Sequence, residues 1–182
     1  MKPRTKAIFL MMVLPPLMME LLTANLPGFV FFHPVFLITV ILGYSVPILA
    51  IRELAVRLRF SLAGIFIMGL AYGIFNEGIG AKTLLLMEKV PVSTFDNYGY
   101  FFGINFPWVA YIITVHAIVS VLIPILIVHY LYPEVKTQPW FSKKTGFALL
   151  FLATAVGTAI FLSPQPFPSN PIYLFYWSSP PV

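Results

Sequence analysis

The chain has 182 residues, of which 59% are hydrophobic and only 9% charged, with a formal net charge of +5. Soluble domains carry about a quarter charged residues, so a water-soluble globular fold is excluded, and a mean hydropathy of +0.91 points to a helical integral membrane protein. The absence of cysteine removes disulfides, thiolate metal sites and a cysteine nucleophile, and nothing beyond net charge suggests a nucleic-acid partner.

The N-terminus reads MKPRTK followed by AIFLMMVL. A basic stretch before an apolar one resembles a signal peptide, but no small-x-small cleavage site follows and further spans do, so it reads as a retained first helix. Five spans are expected: Ala7 to Thr23, kinked at Pro15-Pro16; Val35 to Ile51; Phe60 to Gly78; Trp108 to Leu131; and Gly146 to Leu162. Each is near the ~20 residues that cross the hydrocarbon layer. The fold class is therefore all-α, a polytopic helical membrane bundle of about five transmembrane helices, with residues 1–182 as a single integral membrane domain. Between the third and fourth spans, EKVPVSTFDNYGYFFGINFP (Glu88 to Pro107) is aromatic and short of charge. Such rings prefer the membrane interface, so the loop lies in the outer interface or partly re-enters. The tail PQPFPSNPIYLFYWSSPPV is proline-rich and uncharged. It is either an interfacial aromatic segment or the stub of a sixth helix.

The cations are unevenly placed. Lys2, Arg4 and Lys6 precede the first span, Arg52, Arg57 and Arg59 follow the second, and Lys136, Lys143 and Lys144 follow the fourth. Only Lys82 and Lys89 fall on the other side. The positive-inside rule then predicts a multi-pass protein of the cell membrane with its N-terminus in the cytoplasm and, with five spans, its C-terminus outside.

Ionisable groups inside the membrane cost about 2.5 kcal/mol or more at a helix centre, so each needs a reason. Gly69, Gly73 and Glu77 are spaced by four and share a helix face. Gly69 and Gly73 make the small-xxx-small pattern of close helix packing. Glu77 is then aimed at a neighbouring helix, with Tyr72 and Asn76 on the adjacent strip. The alternative is a carboxylate at a helix end that reaches the headgroups. His116 lies about 12 Å below the outer surface of the fourth span, with Ser120 one turn later on the same face. It either takes a proton, binds a metal or hydrogen-bonds a neighbouring helix. His116 is the expected partner of Glu77. Glu20, His33, Glu77 and His116 also fall at similar depth, and two Glu with two His suffice for zinc, although no HExxH-type spacing accompanies them. No cofactor is expected. At the inner side, Glu53 and Arg57 of AIRELAVR have the favourable order for a helical ion pair, and an exposed pair in a topogenic arginine cluster is the plain reading. His129 and Tyr130 read as interface anchors.

At these residues the chain resembles the CAAX-protease and bacteriocin-processing (CPBP) family of intramembrane proteases. The first family motif, Glu-Glu-xxx-Arg, is matched by PILAIRELAVR, with Arg52 in place of one Glu and Glu53 and Arg57 kept. The second, Phe-xxx-His, is matched in spacing by MGLAYGIF, with Met68 and Tyr72 in the motif positions. The third, His-xxx-Asn or His-xxx-Asp, is matched by VHAIVS, with His116 kept and Ser120 replacing the amide or acid. The likeness runs from about Pro47 to Ser120. It implies a glutamate-activated water and, as catalytic carboxylate, Glu53. A depth count leaves Glu53 near the inner surface and His116 nearer the outer one, which makes Glu77 the alternative. The chain also looks like a group of prokaryotic membrane proteins with a GLAYG...EG segment, a likeness that implies no activity.

Three functions follow. The first is a hydrolase acting on a membrane-embedded peptide, with Glu77 or Glu53 as base, His116 assisting, and Tyr72 and Asn76 as oxyanion donors. The second is a non-catalytic subunit or scaffold bound to partner membrane subunits, in which the polar groups hold helices together. The third is a proton or small-solute pathway lined by Glu20, Glu77 and His116. In all three the lipid bilayer is the surrounding partner.

Overall fold

A computed structural model of the chain describes residues 1–23, 28–84 and 98–162. Four of its helices are long and apolar enough to cross a membrane: α1 (Pro3–Leu22), α2 (Phe36–Leu58), α3 (Leu62–Gly80) and α4 (Phe106–Leu131). A fifth helix, α5 (Lys143–Leu162), has 20 residues. It packs along α2 and reaches the far end of α3, while Gly146 near its start lies against Glu53. The five expected spans are therefore all helical, four of them within a few residues of their expected bounds, while the second runs on to Leu58, seven residues past Ile51. The tail after Leu162, and with it the choice between interfacial segment and sixth helix, lies outside the described residues. So does the greater part of the loop before α4.

The helix ends follow local chemistry. Ser61 caps α3 by accepting from the Gly64 N–H at 3.3 Å, and Asn105 caps α4 by accepting from Trp108 N–H at 2.9 Å; both are favoured N-cap residues. Helix α2 stops where Arg59 takes a left-handed φ of 55°, and the Phe60 N–H reaches back to the Ala55 carbonyl at 2.9 Å. This is the hydrogen bond of a Schellman end. Before α4, β1 (Tyr100–Phe101) and β2 (Ile104–Asn105) pair antiparallel. Phe102 and Gly103 between them both have positive φ, which is the two-residue hairpin turn whose twist matches the strands.

Proline shapes the interior of the bundle. A proline has no N–H to give to the carbonyl four residues back, and its ring crowds that carbonyl. Pro16 thus leaves the Met12 carbonyl open, and the Ser45 hydroxyl donates to it at 2.5 Å. Pro47 leaves the Gly43 carbonyl open, and the Tyr72 hydroxyl donates to it at 2.8 Å. The helices widen nearby. Leu17–Leu22, Ile41–Ser45 and His116–Leu122 are π-helical turns beside Pro16, Pro47 and Pro124, and Asn76–Gly80 is a fourth. At Pro15-Pro16, where a kink is expected, α-helical backbone runs through both prolines and then widens into the π-helical turn.

Helices α3 and α4 make the closest contact. A Cβ added at Gly69 would stand 2.7 Å from Ala117 Cα, and one at Gly73 would stand 2.8 Å from Ile113 Cα. Only a hydrogen side chain allows that approach. Helix α1 packs on α2 and α4.

One end of the bundle is closed by a clip. Arg52 is fully buried. It donates to the carbonyls of Val135, Lys136 and Gln138 at 2.9–3.0 Å and to His129 Nε2 at 3.2 Å. Its guanidinium stacks 3.5 Å from the centre of the Trp140 ring. Glu53 accepts from Arg57 at 2.6 Å and from the Trp140 N–H at 2.9 Å. The Glu53–Arg57 pair therefore forms as expected, but it is not the exposed pair of a surface cluster: Glu53 is 2% exposed. The loop after α4 folds back and covers it. Of the two residues read as interface anchors, Tyr130 is exposed, whereas His129 is half-buried and accepts from Arg52.

Candidate functional site

The α3–α4 contact carries the candidate site. Because Gly69 and Gly73 bring the two backbones together, the next residue on that face, Glu77, arrives beside His116. Glu77 Oε1 and His116 Nε2 are 2.7 Å apart, and both residues are buried. The other ring nitrogen, Nδ1, is 3.2 Å from the Ser120 hydroxyl. A hydroxyl, an imidazole and a carboxylate thus stand in line. Asn76 Nδ2 is 3.3 Å from His116 Nε2 and 3.5 Å from Glu77 Oε1. Nε2 cannot both donate to Glu77 and accept from Asn76, and the shorter contact assigns its proton to the carboxylate side.

Aromatic rings wall the imidazole. Tyr44 stacks on it at 5.9 Å between centroids, and Tyr72 meets it edge-on at 5.7 Å. Tyr44 extends the cluster, since its hydroxyl donates to Glu20 Oε1 at 2.5 Å. On the other side Thr83 donates to Glu77 Oε2, and the Trp108 indole N–H donates to the Thr83 hydroxyl at 3.1 Å. Glu20, Tyr44, Glu77, His116 and Ser120 all sit in the four widened turns. Such turns recur at functional sites in other proteins.

Of the residues singled out from sequence, Glu77, His116 and Asn76 come together, and Tyr72 contributes its ring. Its hydroxyl is committed to Gly43 and is not turned to the pair, against the expectation of an oxyanion donor. Glu53 is elsewhere: its partners are Arg52, Arg57, Trp140 and Phe141, none of them shared with His116. Glu20 joins through Tyr44, but His33 is exposed at the start of the helical run into α2. The four-residue zinc arrangement does not form; among the described residues no three His, Cys, Asp or Glu are grouped to hold a metal. Tyr44, Thr83 and Trp108 carry no site signal in the sequence, whereas Ser120 has two, its i+4 spacing from His116 and its place in the His-xxx-Asn motif pattern.

Fold and site define a polytopic helical membrane protein with a buried carboxylate–imidazole pair between two glycine-packed spans. The chain belongs to a family described as an uncharacterized membrane protein family, whose profile matches residues 9–174. No curated protein and no solved structure matches it.

Proposed function

We propose that the chain is an intramembrane hydrolase of peptidase type, with the Glu77–His116 pair as its reactive centre. The observation that carries this reading is the buried 2.7 Å contact between the two, with the Asn76 amide within 3.5 Å of both. Ionisable groups at membrane depth mark functional sites by default, and this pair has the composition general acid–base catalysis needs. A water enters between the two side chains. Glu77 accepts its proton as the hydroxide adds to the carbonyl carbon of a peptide bond. Asn76 donates to the oxyanion. The proton then passes through the pair to the departing amine as the C–N bond breaks. Ser120 holds the ring from the other nitrogen. This reading differs from the CPBP likeness in its carboxylate, since Glu53 is occupied by Arg57 and two backbone amides.

The test is turnover of quenched-fluorescence transmembrane peptides by the full chain in proteoliposomes. Glu77→Gln and His116→Ala should each lower the rate by about 10²- to 10⁴-fold, with Glu77→Gln retaining wild-type helicity. Turnover equal in wild type and both variants sinks the reading. One observation favours a second reading, a polar joint in a scaffold subunit: among the described residues every buried side-chain nitrogen and oxygen has a hydrogen-bond partner. In that case Glu77→Gln changes stability alone, and the chain co-purifies with partner subunits.

A further inference from the structure

The clipped end of the bundle holds a cleft that the Glu77–His116 chemistry does not use. Its volume is about 560 Å³, within the usual range for small-molecule sites. It opens where α2 ends, α3 begins and the loop after α4 returns. Its polar wall carries Arg59 and Lys136, with the buried Arg52 behind them, and among the described residues no carboxylate lines it. Its apolar wall includes Phe60, Ile65 and Ile125. Arg52 is held by loop carbonyls, and Glu53, 3.5 Å from its guanidinium, is shared with Arg57. The local charge is thus positive. Arg59 and Lys136 are both exposed, and they flank the cleft from different segments.

We propose that this cleft binds an anionic phospholipid of the leaflet at that end, with the phosphate between Arg59 and Lys136 and an acyl chain along Phe60, Ile65 and Ile125. Two features select lipid over soluble phosphate. The cleft lies at the ends of membrane spans, where headgroups are, and much of its wall is apolar. Basic pockets between helix ends are suited to such headgroups because each cation near the surface contributes about a fivefold gain in affinity.

The experiment uses the full chain in nanodiscs of phosphatidylcholine with and without phosphatidylglycerol, then native mass spectrometry of the retained lipids. Phosphatidylglycerol should be retained over phosphatidylcholine. The double variant Arg59→Gln/Lys136→Gln should lose about 25-fold of that preference, fivefold for each cation. Lys144→Gln, a cation at the start of α5 that does not line the cleft, should keep it. Equal retention of the two lipids, or the same loss in Lys144→Gln, overturns the proposal. So does a rise in melting temperature of the detergent-solubilised protein with inorganic phosphate alone that is as large as the rise with phosphatidylglycerol, because the ligand is then the free anion.

Discussion

Glu77 is bonded on both oxygens, so its neighbours are not interchangeable. His116→Ala removes the partner of Oε1 and leaves a buried carboxylate with Thr83 and Asn76. Breaking a buried pair on one side costs about 3–5 kcal/mol. Glu77→Gln keeps the shape and can still meet the ring with its amide, so it should cost clearly less. Thermal unfolding of both variants in nanodiscs checks the order, and His116→Ala as the milder change would contradict it. Tyr44→Phe removes the 2.5 Å donor to Glu20. A hydrogen bond to a charged acceptor contributes about 1.5–3 kcal/mol, and the same measurement should show a loss of that size. The Glu77 face was legible from three residues spaced by four. The Tyr44 and Thr83 partners were not, because a hydroxyl on another helix has no sequence spacing that ties it to a carboxylate.

At the scale of elements, proline and glycine set how the helices meet. Gly73→Ala puts a methyl 2.8 Å from the Cα of Ile113, and a backbone cannot rotate aside. Overpacking of this kind costs about 1–3 kcal/mol and should also separate Glu77 from His116. A lowered melting temperature together with lost peptide turnover is the expected result; an unchanged protein would mean that α3 and α4 are not so close. The Arg52 clip is the second element-scale feature. Arg52→Ala strips the 133–141 segment of three carbonyl contacts and leaves Glu53 to Arg57 and the backbone amides. Limited proteolysis should then cut this segment faster than in the wild type. The AIRELAVR stretch read as a surface cluster because it ends a span. Its burial depends on a loop more than 80 residues later, and no local pattern encodes that.

For the whole molecule, the distribution of cations predicts orientation. Single cysteines introduced at Lys2 and Thr137 should react with a membrane-impermeant thiol reagent only after the cell is opened, and one at Phe102 should react from outside. The native chain has no cysteine to confuse the assay. The reverse labelling would invert the topology. Hydropathy, cation placement and the Gly69–Gly73–Glu77 spacing by themselves determined the membrane class, the helical spans and the face on which Glu77 lies. They suffice because lipid forces each span to satisfy its own backbone and because a helix fixes which residues share a side. Only the tertiary structure decided which carboxylate meets His116, that Glu53 belongs to a clip, that His33 stands apart, and that open carbonyls before Pro16 and Pro47 receive Ser45 and Tyr72. Those are contacts between helices, and they depend on relative depth and rotation, which packing sets and the sequence of any one helix does not contain.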